Sequence, residues 1–98
     1  MPFKFESLNI WNKALDLSVE VNNIAKFFPK WETFNLCSQI RRASDSVVLN
    51  IAEGCTGPTN PEFKRLLNYS IRSGTEVVSC LFIAKRKGYI QQDMFTKF

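Results

Sequence analysis

The sequence predicts an all-α fold, an antiparallel up-down helical bundle of three long helices plus the start of a truncated fourth. Three observations carry this reading. Apolar residues recur at alternating gaps of four and three along three long stretches, the spacing that lays one apolar stripe down an α-helix. Each stretch closes on turn chemistry, at Pro29, at Cys55-Thr-Gly-Pro-Thr-Asn60 and at Gly88. No alternating apolar–polar run of strand length occurs. The chain has 98 residues, 45% hydrophobic and 22% charged, which is an ordinary globular composition and enough for one modest core. Residues 1–98 are therefore read as a single helical-bundle domain.

The first helix is expected over about residues 9–28, with Ile10, Ala14, Leu17, Val21, Ile24 and Phe28 as its stripe and Trp11, Leu15 and Ala25 widening it. Ser7 or Asn9 can cap its start, because a short oxygen-bearing side chain accepts from a free backbone N–H. Pro29 stops it, since the ring disfavours helical geometry at Phe28 and carries no N–H.

The second helix is expected over about residues 32–54 on Leu36, Ile40, Ala43, Val47, Ile51 and Gly54. Its polar residues need partners if they are buried. Arg42 and Glu53 lie on one flank but are separated by about 16 Å along the axis, too far to pair. Arg41, Arg42, Asn50 and Glu53, with Glu76 on the third helix as a partner for either arginine, are therefore expected to act as polar staples that fix helix register. The distal half, Val47-Val-Leu-Asn-Ile-Ala52, is apolar almost all round, and such a helix needs cover on more than one side. Val48, Leu49 and Ala52 are candidate contacts between subunits of a homo-oligomer, most simply a closed ring.

The third helix is expected over about residues 61–87. Asn60-Pro61-Glu62 gives a capping side chain, a proline at the first position and an acid at the positive helix end. Phe63, Leu66, Leu67, Ser70, Ser73, Gly74, Val77, Cys80, Leu81 and Ala84 form the inner stripe. Its small residues allow either a ligand cavity or close approach of two backbones. Gly88 ends the helix behind Lys85-Arg86-Lys87, whose charges suit the negative helix end. The stub from about residue 91 reads as the first turns of a fourth helix. Connections of about three to five residues force antiparallel neighbours.

The formal charge is +4 and the pI about 9.2, which suits an acidic partner. Arg65, Arg72 and Arg86 recur at multiples of seven on the third helix, and Lys64, Lys85 and Lys87 broaden the patch. Two readings stand for it, a phosphate-binding stripe for RNA or DNA and a solvated face. The stripe lacks the interleaved aromatics that stack unpaired bases, so contact is expected to be independent of sequence.

Catalysis is not expected. The chain has no histidine, the commonest general base and metal ligand. Cys37, Cys55 and Cys80 are odd in number and widely spaced, without a CxxC, so neither a zinc site nor a disulfide framework is indicated. They read as reduced thiols, at least two of them filling core space. Cys80 lies at an apolar helix position without an activating base, Gly54-Cys-Thr-Gly57 lacks the lysine of a phosphate loop, and Glu53 with Glu76 has no substrate-anchoring loop beside it. No cofactor or metal is expected. Nothing resembles a signal peptide, and no run approaches the ~18 apolar residues that cross a bilayer. The expected location is the cytoplasm, without membrane contact.

Several segments together carry a family resemblance: Leu8-Asn-Ile-Trp11; Phe28-Pro29 followed by Glu32; Gln39-Ile-Arg-Arg-Ala43; Ser46-Val47; Asn50-Ile-Ala-Glu-Gly54; Pro61-Glu-Phe63; Ser73-Gly-Thr-Glu76; Gly88-Tyr-Ile90. Over roughly residues 3–92 the chain resembles the four-helix-bundle proteins encoded in intervening sequences of bacterial 23S ribosomal RNA genes, a family that takes in the accessory variability proteins of diversity-generating retroelements. The stretch from Gln39 to Gly54 is its most specific part. The resemblance implies a bundle that assembles into a ring of identical subunits, often five (a pentamer), without catalytic activity. For the retroelement branch it implies binding to nucleic acid and to a reverse transcriptase. It also implies a complete fourth helix, which this chain only begins, so that helix is expected to be truncated or supplied by another chain.

Two functional expectations follow. The first is a non-enzymatic oligomeric bundle that binds nucleic acid through phosphate charge. The alternative is an interaction or accessory scaffold that docks a protein partner, its basic surface incidental.

Overall fold

The computed structural model describes residues 3–95. Four α-helices follow one another: α1 (Asn9–Ala25), α2 (Leu36–Cys55), α3 (Asn60–Arg86) and the short α4 (Gln92–Phe95). Two 3-10 turns, Lys4–Ser7 and Lys30–Glu32, precede α1 and α2. Among the described residues there is no strand. The molecule is a rod of 44 × 21 × 21 Å, its length set by the 27 residues of α3, about 40 Å at 1.5 Å per residue.

Two clusters of buried side chains fix the antiparallel order. Near one end, Ile24 from the close of α1 and Phe28 just beyond it meet Leu36 and Ile40 from the start of α2 and Leu81 and Ala84 from the close of α3. Near the other end Ala14 of α1 packs with Val48 and Ile51 of α2, and Leu67 of α3 leans on them. The first cluster is the larger and holds two of the three cysteines, Cys37 and Cys80; all three are free and buried. α2 packs along both of its neighbours. Between α1 and α3 runs an open groove of about 840 Å³, floored by Leu17, Val77 and Leu81 and rimmed by Lys13, Asp16 and Glu20.

Boundaries depart from the sequence expectation where side chains compete for backbone groups. α1 stops at Ala25, and the chain tightens into i→i+3 bonds, Phe27 N–H to Ile24 O and Phe28 N–H to Ala25 O. Its start carries no side-chain cap, with Leu8 at that position. Ser7 instead donates to Lys4 O, and Asn12 donates back to Glu6 O and Leu8 O. α2 begins at Leu36 because residues 29–35 turn with a period of three, through Glu32 N–H to Pro29 O, Thr33 N–H to Lys30 O and Asn35 N–H to Glu32 O. The first connection is therefore longer than expected. The cap of α3 is Thr59, one residue before the expected Asn60; its hydroxyl accepts from Glu62 N–H at 3.2 Å.

Two glycines are required by geometry. A Cβ on Gly54 would lie 2.7 Å from the Phe63 ring and 3.2 Å from Leu66 Cβ, so α2 and α3 can close together there only without a side chain. Gly88 has φ +81° and ends α3 in a Schellman turn, with Gly88 N–H on Lys85 O and Tyr89 N–H on Ala84 O. The close approach expected at the small residues of α3 is made by two of the three. Ser70 donates to Val47 O and Ser73 to Ser46 Oγ, both at 3.0 Å. Gly74 has no atom within 4 Å of its Cβ position and borders the α1–α3 groove instead.

Candidate nucleic-acid interface

The basic residues of α3 do not form one even stripe. Arg65 is spoken for: its guanidinium pairs with Glu62 through Nη2–Oε1 at 2.6 Å and Nε–Oε2 at 3.2 Å, and reaches the Tyr69 hydroxyl at 3.4 Å. The Tyr69 ring centroid lies 5.5 Å below it. Lys64 and Arg72 are exposed and make no ion pair within the described chain. At the far end Lys85, Arg86 and Lys87 come together, about 31 Å along the helix from Arg65. Lys85 stands 4.7 Å from the centroid of Phe95, and Lys87 Nζ lies 3.3 Å from Glu32.

The Lys87–Glu32 contact places the α1–α2 connection at the same end, and with it Lys26 and Lys30. Among the described residues, the cations Lys26, Lys30, Lys85, Arg86 and Lys87 share that end with the carboxylates Glu32 and Asp93, a formal excess of +3. Lys26, Lys30 and Arg86 are exposed and make no ion pair within the described chain. The connection also carries Phe27, Trp31 and Phe34, exposed by 64%, 78% and 96%. Aromatic and basic residues are thus interleaved in Lys26-Phe-Phe-Pro-Lys-Trp31. The pattern is plain in the sequence but lies outside α3 and its basic stripe.

Glu32 organises this end. It is 3% exposed and accepts from Tyr89 Oη at 2.8 Å, Asn35 Nδ2 at 3.0 Å, Lys87 Nζ at 3.3 Å and Leu36 N–H at 3.4 Å. The last bond satisfies a free donor at the start of α2. The Tyr89 hydrogen bond above all, opposed by burial and helped by Asn35, Lys87 and Leu36, holds its carboxyl below the ordinary 4.5. Tyr89 in turn accepts from Trp31 Nε1 at 3.3 Å and packs against Phe28, centroids 5.7 Å apart.

The sequence model of the family described as 23S rRNA-intervening sequence protein matches residues 6–98. The chain belongs to that family. No curated protein matches it.

In this 23S rRNA-intervening sequence protein the expected polar staples do not hold one chain together. Arg41, Arg42, Glu53 and Glu76 are all exposed, and none forms an ion pair within the described residues. The helices approach too closely for long charged side chains between them, and hydroxyls do the joining: Ser70 to Val47, and Ser73 to Ser46. Asn50 is half-buried and bonds only one turn back, to Ser46 O and Oγ. The expected subunit contacts also change. Val48 is buried beneath Ala14 and Ile51, because α1 covers that side of α2. Ala52 is half-buried, in a cleft it shares with Phe3 and Phe5 of the N-terminal turn. Leu49 alone faces out, 62% exposed.

Among the described residues no three His, Cys, Asp or Glu side chains group closely enough to hold a metal ion. Burial raises the thiol pKa of Cys37 and Cys80 above the ordinary 9.0, which disfavours the nucleophilic thiolate. No described helix is long and apolar enough to cross a membrane.

Proposed function

We propose that this protein is a non-enzymatic, self-associating, cytoplasmic helical bundle that binds nucleic acid through phosphate charge, with its basic end as the contact surface. The observation that supports it is the gathering of Lys26, Lys30, Lys85, Arg86 and Lys87 at one end of the rod. Cations so concentrated release counterions from a phosphate backbone together, whatever its sequence. A ring of subunits, five by family resemblance, would repeat the surface and raise its effective concentration. The test is an anisotropy titration with duplex DNA, single-stranded DNA and structured RNA at about 50 and 200 mM salt, where affinity falls with a log–log slope of about 0.9 per duplex phosphate contacted. Lys30→Gln with Arg86→Gln lowers affinity for every sequence and flattens the salt slope by about two. Arg72→Gln, about 21 Å along α3 from Arg86, has the smaller effect. Failure of all three nucleic acids to bind at low salt overturns the proposal.

A second reading rests on the exposed apolar side chains of α3, Ile71 and Val78, which line the α1–α3 groove. They favour a protein contact, either a second subunit or, by resemblance to retroelement accessory proteins, a reverse transcriptase. Light scattering at micromolar concentration separates the cases. A mass above 11.3 kDa supports self-association, and a stable monomer rejects it.

A further inference from the structure

Trp31 and Phe34 are displayed by the local geometry of the chain. The i→i+3 bonds of residues 29–35 give about three residues per turn, so side chains three apart share a face. Glu32 and Asn35 share the inner face and bond each other at 3.0 Å. Trp31 and Phe34, three apart in the same connection, are both turned to solvent, 78% and 96% exposed. The Trp31 side is also held. Four hydrogen bonds fix Glu32 beside it, and Tyr89 fixes the edge of the Trp31 indole. An indole already positioned loses little freedom when a base stacks on it.

We propose that Trp31 and Phe34 form a stacking platform for unpaired bases, so that the basic end takes single-stranded nucleic acid in preference to duplex. This rests on the phosphate-binding reading above and adds to it the class of nucleic acid. Unpaired bases offer π-faces to aromatic side chains irrespective of sequence, whereas duplex bases lie closed in a stack at 3.4 Å per step. The rim selects a polyanion. Lys26, Lys30, Arg86 and Lys87 lie at the same end of the rod as the rings, and the only acid in residues 26–35 is the buried Glu32. A second copy docking the same face would bring like charges together, which is costly.

The experiment compares oligo(U) and oligo(dT) with a duplex of equal length, using the intact chain. Phe34→Ala is the principal variant, since a side chain 96% exposed contributes little to folding; Trp31→Ala is the second, its helicity checked by circular dichroism. Each is expected to weaken single-strand binding at least about fivefold, the lower bound of stacking one base, and to leave duplex binding unchanged. In a Trp11→Phe background, where Trp31 is the sole tryptophan, oligo(U) quenches the emission. If both single strands and duplex bind but neither variant separates them, the stacking platform is wrong and the phosphate reading stands. If nothing binds at low salt, both fall. A fall in assembly mass on Phe34→Ala makes the rings a subunit contact and overturns the platform.

Discussion

The two ends of the rod each hold a carboxylate with a depressed pKa, and they hold it in opposite ways. At the connection end Glu32 is buried and takes donors from Asn35 and Leu36 beside it and from Lys87 and Tyr89 more than fifty residues away. At the other end Glu62 is paired with Arg65, three residues along the same helix and open to solvent. The first arrangement joins a loop to the close of α3 and so decides tertiary structure. The second reinforces one turn of helix. Packing follows the same division, with the larger buried cluster toward the Glu32 end and the smaller one at the other.

Truncation of the two clusters should expose that difference most clearly. Leu81 is 1% exposed within the larger cluster, and Leu81→Ala should cost about 2–5 kcal/mol of unfolding free energy. Val48 sits in the smaller cluster, and Val48→Ala, removing two methyl groups, should cost roughly 1.5 kcal/mol at about 0.8 each. Urea titration measures both. Equal losses would mean that the ends are packed equally well.

Glu32→Gln should come next, seen as a fall in melting temperature of several degrees. The amide keeps one acceptor oxygen but sets an NH2 donor against either Lys87 and Tyr89 or Asn35 and Leu36 N–H, and it removes the charge that Lys87 answers. The pH dependence identifies the cause. The folded pKa is held below 4.5, so the ionised carboxylate contributes stability that is fully present above the unfolded value and is lost as pH falls through the lowered folded one. The gap between wild type and variant should therefore be widest near neutrality and close below about pH 4.5. A gap that is constant with pH would assign the loss to shape rather than charge.

The same division marks what the sequence made legible. Helix identity and order follow from periodicity, and Ser70, Val77, Cys80, Leu81 and Ala84 are buried along α3 as expected; on α1, Ile10 and Leu15 belong to the expected stripe but are 48% and 41% exposed. The resemblance placed the family. What periodicity cannot show is which of two apolar sides of α2 another helix of the same chain will cover. Val48 and Leu49 are neighbours, yet α1 buries the first and leaves the second to solvent. A Val48→Glu change thus puts an unpaired charge into the core and does not probe assembly. The staples failed for a related reason. A charged residue on the flank of a stripe can turn outward, and Arg41, Arg42, Glu53 and Glu76 do. The sequence marks Glu32 only as part of a motif, because its partners Lys87 and Tyr89 become neighbours only when the chain folds. The basic end has the same origin: two cation groups distant in sequence meet through that contact.

The smallest effect belongs to the exposed pair. Hydrogen bonding from Arg65, opposed by desolvation and aided by its charge, holds the Glu62 carboxyl below 4.5, so the sign of its pH dependence is that of Glu32. The difference lies in solvent. Both partners are substantially exposed, their order is already set by the helix, and surface pairs of this kind add little and are screened by salt. Glu62→Gln should shift the melting temperature slightly at low ionic strength and not measurably at 0.5 M salt, while the Glu32→Gln deficit persists there. The variant keeps the backbone N–H that Thr59 caps, so a loss that survives high salt could not be charged to the helix cap. It would mean that the Glu62–Arg65–Tyr69 contacts brace this end of the bundle as Glu32 braces the other, and the contrast between the two ends would fail.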